Sequence, residues 1–203
     1  KDIYFAFPPS QNQFTANNYS KYSSFVSKTN IKLDEAISHD NTDILERSSI
    51  LEEITKKINK LITEANIHLP SPVEMEISHH YGLDEFYKFG MVIFTLVNRT
   101  YCKKLLLSLP GQVHPAQFHK KKEESFRLIY GDLKLTIDGK DLIMKLGEII
   151  TIEKGMVHQF TSLKGSVVEE ISDTHHINDS FYIDDKITQN TNRKTIINFY
   201  KDL

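Results

Sequence analysis

The sequence predicts a mainly β protein: a small β-barrel that begins near residue 71, preceded by one helix and a short N-terminal segment. From residue 73 onward, short runs rich in β-branched and aromatic residues alternate with turn signals, which is typical of β-sandwiches and barrels. Before residue 70, one stretch has the apolar spacing of an amphipathic helix. Hydrophobic residues make up 39% of the chain and charged residues 26%, a balance that suits a globular domain with a buried core.

The predicted strands of the barrel are short and regularly spaced. Gly131-Asp132, Asp138-Gly139 and Lys164-Gly165 supply turns between them. One short helix, at residues 83–89, interrupts the series. The predicted strands are residues 73–78, 91–97, 103–109, 125–130, 133–137, 142–144, 149–152, 159–162, 167–171 and 196–200.

Residues 43–66 are predicted to form a helix that packs on a sheet. Asp43 is expected to cap its first turn, with Glu46 three residues later as the partner in a capping box. Five charged residues lie off the apolar face: Glu52, Glu53, Lys56, Lys57 and Lys60. The apolar face has three- and four-residue spacing and consists of Leu51, Ile54, Ile58 and Leu61.

Two segments follow from this pattern, residues 1–70 and residues 71–203. The boundary is the helix-breaking run Leu69-Pro70-Ser71-Pro72. In the first segment, residues 3–7 and 22–27 are expected to form short strands. The chain begins at Lys1 rather than Met, which we interpret as a piece of a longer protein.

Charge and composition exclude several function classes. The formal net charge is −2, so we expect no nucleic-acid partner. Lys120, Lys121 and Lys122 form the one notable basic run, which we interpret as a solvated turn. We expect no membrane span, because no apolar run is long enough. Cys102 is the single cysteine and is expected in the core; the lack of a disulfide fits a cytoplasmic protein.

Four polar residues have a spacing that can bring them to one site. Gln117 and His119 are two residues apart, so they share one face of a strand. Glu124 lies across a turn and can return to that face, and His158 starts a later strand after the Gly155 turn. Imidazole and carboxylate ligands without cysteine suit Mn, Fe, Ni, Co or Zn in a mixed nitrogen–oxygen site. The alternative is that these are ordinary polar residues of a β domain.

Other histidines near this region have weaker arguments. His114 is a possible substitute for Gln117, although its odd offset places it on the opposite face of a regular strand. His79 and His80 precede a turn and are expected to pack there. His175 and His176 lie in a polar stretch and are expected to be loop residues.

The same residues resemble the two motifs of the cupin superfamily. Gly111, Gln117, His119, Glu124 and Gly131 are similar to the first motif, and Gly147, Gly155 and His158 are similar to the second. The resemblance implies a jelly-roll barrel with metal ligands at Gln117, His119, Glu124 and His158, and a homodimer. The family usually has His at the position of Gln117, and this departure weakens the expected metal affinity.

Two narrower resemblances suggest a sugar ligand. The run from Gln112 to Glu124 is similar to the metal-site segment of D-lyxose ketol-isomerase-like cupins. The phrases at residues 76–82, 101–104, 169–172 and 179–182 resemble the C-terminal cupin region of sialic acid (N-acetylneuraminate) synthase-type proteins, in which a condensing barrel lies upstream. Residues 27–37 resemble the small antifreeze-like domain of those synthases, and this resemblance implies that residues 1–70 hold its remnant.

We therefore expect a metal-dependent sugar isomerase. The metal would polarise the carbonyl of an open-chain sugar, and Glu169 or Glu170, whichever faces the interior, would move a proton between C1 and C2. The carbohydrate pathway implied by the resemblance is nonulosonic acid biosynthesis. The alternatives are a non-catalytic sugar-binding module attached to a synthase and a dimerisation domain.

Overall fold

A computed structural model describes residues 37–200, and the side chains of residues 45–200. Residues 46–200 belong to one compact unit. The strands expected at residues 3–7 and 22–27, and the antifreeze-like resemblance up to residue 36, lie outside the described residues. Within the described residues, no helix is long and apolar enough to cross a membrane.

Helix α1 covers Ile37–Glu64, so it begins six residues before the predicted start. Asp43 therefore lies inside the helix, and its predicted role as the N-terminal cap is wrong. The predicted apolar face is confirmed, because Ile54 and Ile58 are fully buried and Leu61 is buried. Two of the predicted charged residues pair with two others one turn away, with Lys56 Nζ 2.9 Å from Glu52 Oε1 and Lys57 Nζ 3.4 Å from Glu53 Oε1.

The rest of the described chain is antiparallel β structure with two short helices. The elements in chain order are β1 Val73–His79, α2 Phe86–Phe89, β2 Gly90–Asn98, β3 Tyr101–Ser108, β4 Val113–Phe118, β5 Glu124–Gly131, β6 Leu133–Ile137, β7 Lys140–Met144, β8 Ile149–Ile152, β9 His158–Thr161, β10 Ser166–Asp173, β11 Phe181–Tyr182, α3 Asp185–Gln189 and β12 Lys194–Phe199. A seven-stranded sheet has the order β12-β1-β2-β3-β10-β5-β8, and a five-stranded sheet has the order β11-β4-β9-β6-β7.

All ten predicted strands are present, with ends that differ from the prediction by at most two residues. Strand β4 is not among the predicted ranges, although Gln117 and His119 are predicted to share one face of a strand. Strand β11 and helix α3 were not predicted, because two and five residues are too few for a periodic signal. The helix predicted at residues 83–89 is a single turn, Phe86–Phe89.

The seven-stranded sheet separates two hydrophobic clusters. The cluster on its outer face contains the buried residues of α1 and alternate residues of β1, β2 and β3, including Met75, Phe94 and Leu107. The second cluster joins the two sheets and includes Leu106, Phe126 and Phe160. Neighbouring residues Leu106 and Leu107 therefore point to opposite faces, as strand periodicity requires. The division at residue 70 remains a prediction, but α1 shares its core with strands that follow it.

Glycine is required where two turns meet beside β5 and β10. Gly131 has a φ of 80°, and a Cβ there would lie 1.9 Å from the carbonyl oxygen of Gly165. No side chain can be accommodated at that distance from a backbone atom. This close approach lets the end of β5 pair with the start of β10, where Gly131 lies opposite Ser166.

Candidate metal centre

Two imidazoles and one carboxylate meet at the interior end of three strands. His119 follows the last residue of β4, Glu124 is the first residue of β5, and His158 is the first residue of β9. Glu124 Oε1 lies 2.9 Å from His158 Nε2 and 3.5 Å from His119 Nε2. One ligand atom from each residue lies within 4.8 Å of the others, and all three residues are buried.

Backbone carbonyls orient both imidazoles toward Glu124. His119 Nδ1 lies 2.6 Å from the carbonyl oxygen of Asp179, and His158 Nδ1 lies 3.1 Å from that of Met156. A carbonyl oxygen can only accept a hydrogen bond, so each Nδ1 must carry the proton. In the neutral imidazole each Nε2 then presents a lone pair, which is the state that binds a metal ion.

Asp179 holds the loop between His119 and Glu124 in place. Its carboxylate accepts hydrogen bonds of 3.0 to 3.1 Å from the backbone N–H groups of Lys120, Lys121 and Lys122. Burial alone would raise the pKa of Asp179, but these three N–H donors hold it below its ordinary value. The same residue therefore orients His119 through its carbonyl and fixes the following loop through its side chain.

Gln117 lies beside this cluster with an unpaired amide oxygen. Its Nε2 is 3.4 Å from His158 Nε2, and its buried Oε1 has no hydrogen-bond partner among the described residues. Exchanging the two ends of the amide would place the oxygen on the side of His158. An amide oxygen can ligate a hard cation, although more weakly than the imidazole that the family usually has at this position.

Lys122 is not part of a solvated turn, and that prediction is wrong for this residue. Its side chain is only 4% exposed, and Nζ lies 2.6 Å from Glu124 Oε2 and 2.7 Å from Glu170 Oε1. Burial alone would lower the pKa of Lys122, but the carboxylates of Glu170 and Glu124 raise it above its ordinary value. Burial would likewise raise the pKa values of both carboxyls, and Lys122 holds both below the ordinary value. All three groups are therefore charged at neutral pH.

The two adjacent glutamates of β10 point to opposite sides of the sheet. Glu169 pairs with Lys103 at 2.7 Å and with Arg127 at 3.6 Å, away from the histidines. Glu170 is buried beside Lys122, and Ser172 Oγ also donates to its Oε1 at 3.2 Å. Every contact of the Glu170 carboxylate falls on Oε1, so within the described part of the chain Oε2 has no hydrogen-bond partner.

His114 faces the interior, contrary to the prediction that it lies on the opposite face from Gln117. The register of β4 against β9 shifts between His114 and Gln117, so the strict alternation of a regular strand does not hold there. His114 stacks on Phe160 with ring centroids 4.6 Å apart and contacts His80 edge-on at 4.9 Å. Its burial holds its pKa well below the ordinary value, so it is neutral at physiological pH.

A groove of about 560 Å³ opens on the inner face of the seven-stranded sheet, next to these residues. Lys104 and Lys122 line it at the end nearest Glu170. His114, strands β1, β2 and β12 and the segment from His175 to Arg193 complete the lining. His175 Nδ1 lies 3.1 Å from Lys104 Nζ, so this loop histidine reaches the groove.

Sequence reasoning missed Lys122, Asp179 and the packing of His80 against Tyr182. Lys122 is two residues before Glu124. Residues two apart in an extended chain share a face, so this spacing was an available signal. Asp179 and Tyr182 carry no such signal, because they come from a loop and a two-residue strand. His79 and His80 pack as predicted, with His79 Nε2 3.1 Å from Thr195 Oγ1. Cys102 is buried, which confirms its predicted place in the core.

The donor set fits a divalent metal ion. Two ligands about 2.1 Å from one ion, at angles of about 90–110°, lie about 3.0–3.4 Å apart. The two distances from Glu124 to the histidines, 2.9 and 3.5 Å, bracket that range. His119 Nε2 is buried and, in the part of the chain that the structure describes, has no hydrogen-bond partner, which is costly unless an ion or a proton occupies its lone pair.

Comparisons with known proteins agree with this architecture. Residues 105–169 match the family model described as "Cupin domain". A comparison with curated proteins finds no match. Among solved structures, the L-ribose isomerase of Acinetobacter sp. DL28 in complex with L-ribose aligns with a TM-score of 0.59 at 12% identity, over 70% of this chain and 94% of that chain.

Two further L-ribose isomerases align equally well. That of Cellulomonas parahominis has a TM-score of 0.59 and 12% identity, over 68% of this chain and 93% of that chain. That of Geodermatophilus obscurus has a TM-score of 0.59 and 14% identity, over 69% of this chain and 93% of that chain. At such identities the likeness establishes a shared fold. The match at residues 105–169 and the two antiparallel sheets together show that this chain has a cupin-type jelly-roll fold.

Proposed function

We propose that this protein is a metal-dependent cupin that interconverts an aldose and a ketose. One observation carries the proposal: the Nε2 atoms of His119 and His158 and the Glu124 carboxylate converge, and Lys122, which contacts both Glu124 and Glu170, lines a groove large enough for a sugar. Within the described residues, Oε2 of Glu170 has no hydrogen-bond partner. The structural neighbours described as L-ribose isomerases support a sugar as the ligand class.

In this proposal His119, Glu124 and His158 hold the ion, and Gln117 is a weaker fourth ligand. Zn, Mn, Fe, Ni and Co all accept such a nitrogen–oxygen set. A bound ion would act as a Lewis acid that polarises the sugar carbonyl. The carbonyls of Asp179 and Met156 keep both histidines in the tautomer that binds it.

Glu170 is the proposed base. Lys122 keeps it ionised at neutral pH, and its free Oε2 can accept a proton from C2 of an aldose and return it to C1. The hydroxyl proton of O2 moves to O1 in the same conversion, so the change from aldose to ketose is internal to the sugar and needs no external oxidant or reductant. A positioned base of this kind contributes roughly 10²–10⁴-fold in rate.

Lys122 is proposed to stabilise negative charge that develops on the sugar oxygens. Its ammonium lines the groove and stays protonated because two carboxylates contact it. It also fixes the distance between the metal ligand Glu124 and the base Glu170, since it contacts both within 2.7 Å.

Metal content tests the first half of the proposal. Protein purified without a His tag should contain close to one equivalent of Mn, Fe, Ni, Co or Zn by mass spectrometry. His119→Ala and His158→Ala should lose it, whereas the control His68→Ala, which removes an exposed histidine outside the groove, should not. Wild-type protein that stays metal-free after incubation with each ion would overturn the metal site.

Turnover tests the second half. Glu170→Gln should reduce isomerisation of the best aldose–ketose pair by at least about 10²-fold while metal content stays constant. Glu169→Gln is the matched control, because Glu169 lies on the other side of the sheet with Lys103 and Arg127. Equal losses in both variants would exclude Glu170 as the base.

A second candidate function is a sugar-binding module without catalysis. It is favoured by Gln117 in place of a histidine and by Lys122, whose positive charge lies 2.6 Å from the Glu124 carboxylate and opposes a cation there. This candidate predicts sugar binding without turnover, even when metal is supplied.

The finer assignments remain proposals as well. They are a D-lyxose ketol-isomerase type of specificity, attachment to a sialic acid synthase-type domain upstream, a cytoplasmic location and a homodimer. The exposed aliphatic residues Ile143, Leu146 and Ile149, on or beside the edge strands β7 and β8, support a dimer. Sedimentation of the full chain would test the dimer separately from catalysis.

A further inference from the structure

We propose that the sugar carries a negatively charged group, a carboxylate or a phosphate, and that Arg193 binds it at the edge of the groove. This inference rests on the proposed function, because it takes a sugar as the ligand and names its chemical class. Arg193 lines the groove itself, whereas the proposed metal ligands and the base are not among its lining residues.

Arg193 is the groove-lining cation that has no carboxylate partner. Within residues 45–200, no Asp or Glu oxygen lies within 4.0 Å of its guanidinium, and no side-chain hydrogen bond to it is formed. The other three cations of the lining are paired: Lys194 with Glu76 at 2.8 Å, Lys122 with Glu170 at 2.7 Å, and Lys104 with Glu170 at 3.7 Å. Arg193 is therefore the cation that is available to a ligand.

The guanidinium is also held in position before any ligand arrives. Its central carbon lies 5.1 Å from the ring centroid of Tyr182, which is only 7% exposed. His80 fixes Tyr182 in turn, with Nε2 3.1 Å from the tyrosine hydroxyl and Nδ1 hydrogen-bonded to the carbonyl of Phe89. A stacked arginine loses less freedom on binding, and its planar fork matches a carboxylate or a phosphate.

The direction of these hydrogen bonds adds one more recognition element. His80 Nδ1 must donate to the Phe89 carbonyl, so Nε2 accepts, and the Tyr182 hydroxyl donates to it. The Tyr182 oxygen can then only accept from a ligand. Arg193 and Tyr182 therefore offer a neighbouring donor and acceptor, which suits an anionic group beside a sugar hydroxyl.

The edge of the groove at Arg193 lies close to the metal cluster. It lies away from Glu74, the lining carboxylate that has no ion-pair partner among the described residues. Tyr182 is the Cα partner of Gln117 in the five-stranded sheet. Arg193 adjoins the Ser78 end of β1, where Lys194 is the partner of Ser78. Glu74 is four residues along the same strand, about 13 Å away at the usual rise per residue. An anion at Arg193 therefore does not meet the Glu74 carboxylate.

Direct binding to matched sugars tests the inference without requiring turnover. Calorimetric titrations of the full chain, with and without added metal, would compare neutral aldoses with their acidic counterparts: D-glucose, D-galactose and D-mannose against the corresponding 6-uronates and 6-phosphates. We expect at least one acidic sugar to bind about tenfold or more tightly than its neutral partner. Tighter binding of the 6-uronate would indicate that the site recognises a carboxylate, and tighter binding of the 6-phosphate would indicate that it recognises a phosphate.

Substitutions at two neighbouring cations make the test specific. Arg193→Gln should remove the preference for the acidic sugar, and Arg193→Lys, which keeps the charge but loses the planar fork, should retain only part of it. Lys194→Gln is the matched control, because it removes the same charge from a cation that Glu76 already pairs. It should leave the preference within about twofold.

Two results would overturn the inference: no acidic sugar binds more tightly than its neutral partner, or Lys194→Gln removes the preference as fully as Arg193→Gln does. Failure of the proposed function looks different. Acidic sugars that bind through Arg193 but are never isomerised would retain this site and exclude the isomerase.

Discussion

The two faces of the seven-stranded sheet differ in chemistry: both carry an apolar cluster, and the inner face adds a group of buried charges. On the outer face, Phe94 and Ile58 lie in an apolar cluster in which each group is replaceable by another of similar volume. On the inner face, Lys122, Glu124 and Glu170 are buried charges whose partners are specific. The outer face therefore supplies stability through area removed from water. The inner face uses part of that stability to hold charged groups where a ligand can reach them.

Removing the central charge of the inner face should have the largest effect. Lys122→Met leaves Glu124 and Glu170 buried without their main partner, which should destabilise the fold by about 3–5 kcal/mol. Lys121→Met, one residue earlier on the exposed side of the same loop, should change stability by less than about 0.5 kcal/mol. Urea unfolding in the presence of a chelator measures both. Similar values for the two variants would mean that Lys122 is solvated in solution.

Truncation in the outer cluster should cost slightly less and leave the inner face intact. Ile58→Ala removes a fully buried side chain of α1 and should destabilise the protein by about 2–4 kcal/mol. Metal stoichiometry should remain at the wild-type value at 10 °C, because the ligands lie across the sheet. The exposed variant Lys56→Ala serves as control. Loss of metal in folded Ile58→Ala protein would show that the two faces are coupled.

Acid should weaken the inner face through His80. Burial lowers the pKa of His80 to about 4 from an ordinary value of 6.5. As the pH falls, the unfolded chain therefore takes up a proton at this histidine at a higher pH than the folded chain does. Stability from this group is complete above about pH 6.5 and is lost as the pH falls toward 4, by about 3 kcal/mol in total. Unfolding measured from pH 7.5 to 4.5 with a chelator should show a shallower slope for His80→Asn than for wild type. Parallel slopes would contradict this assignment.

The smallest effect should come from the solvent side of α1. Glu52→Gln breaks an exposed pair with Lys56, which water and salt already screen. Its melting curve should superimpose on that of the wild type at 150 mM salt. A clear shift of the melting temperature would mean that exposed ion pairs on this helix contribute measurably to the stability of the fold.

Local patterns in the sequence were enough for ten of the twelve described strands, the apolar face of α1 and the set Gln117, His119, Glu124 and His158. These depend on periods of two and 3.6 residues and on turn residues, which act over a few positions. The convergence of the four residues could be predicted because each lies at or beside a strand end. Alternate residues of a strand face the same side of the sheet, so their spacing indicates which side chains point inward. The start of α1 could not be predicted, because Asp43 satisfies the rules for a cap without being at the helix end.

The sequence by itself determined that one of Glu169 and Glu170 faces the interior, since adjacent strand residues alternate. Only the tertiary structure decided that it is Glu170, because the choice depends on which face of β10 the five-stranded sheet covers. The burial of Lys122, the register shift that turns His114 inward and the stacking of Arg193 on Tyr182 were decided in the same way. Each depends on contacts between segments tens of residues apart, and the energy of a buried charge depends on partners that no local pattern specifies.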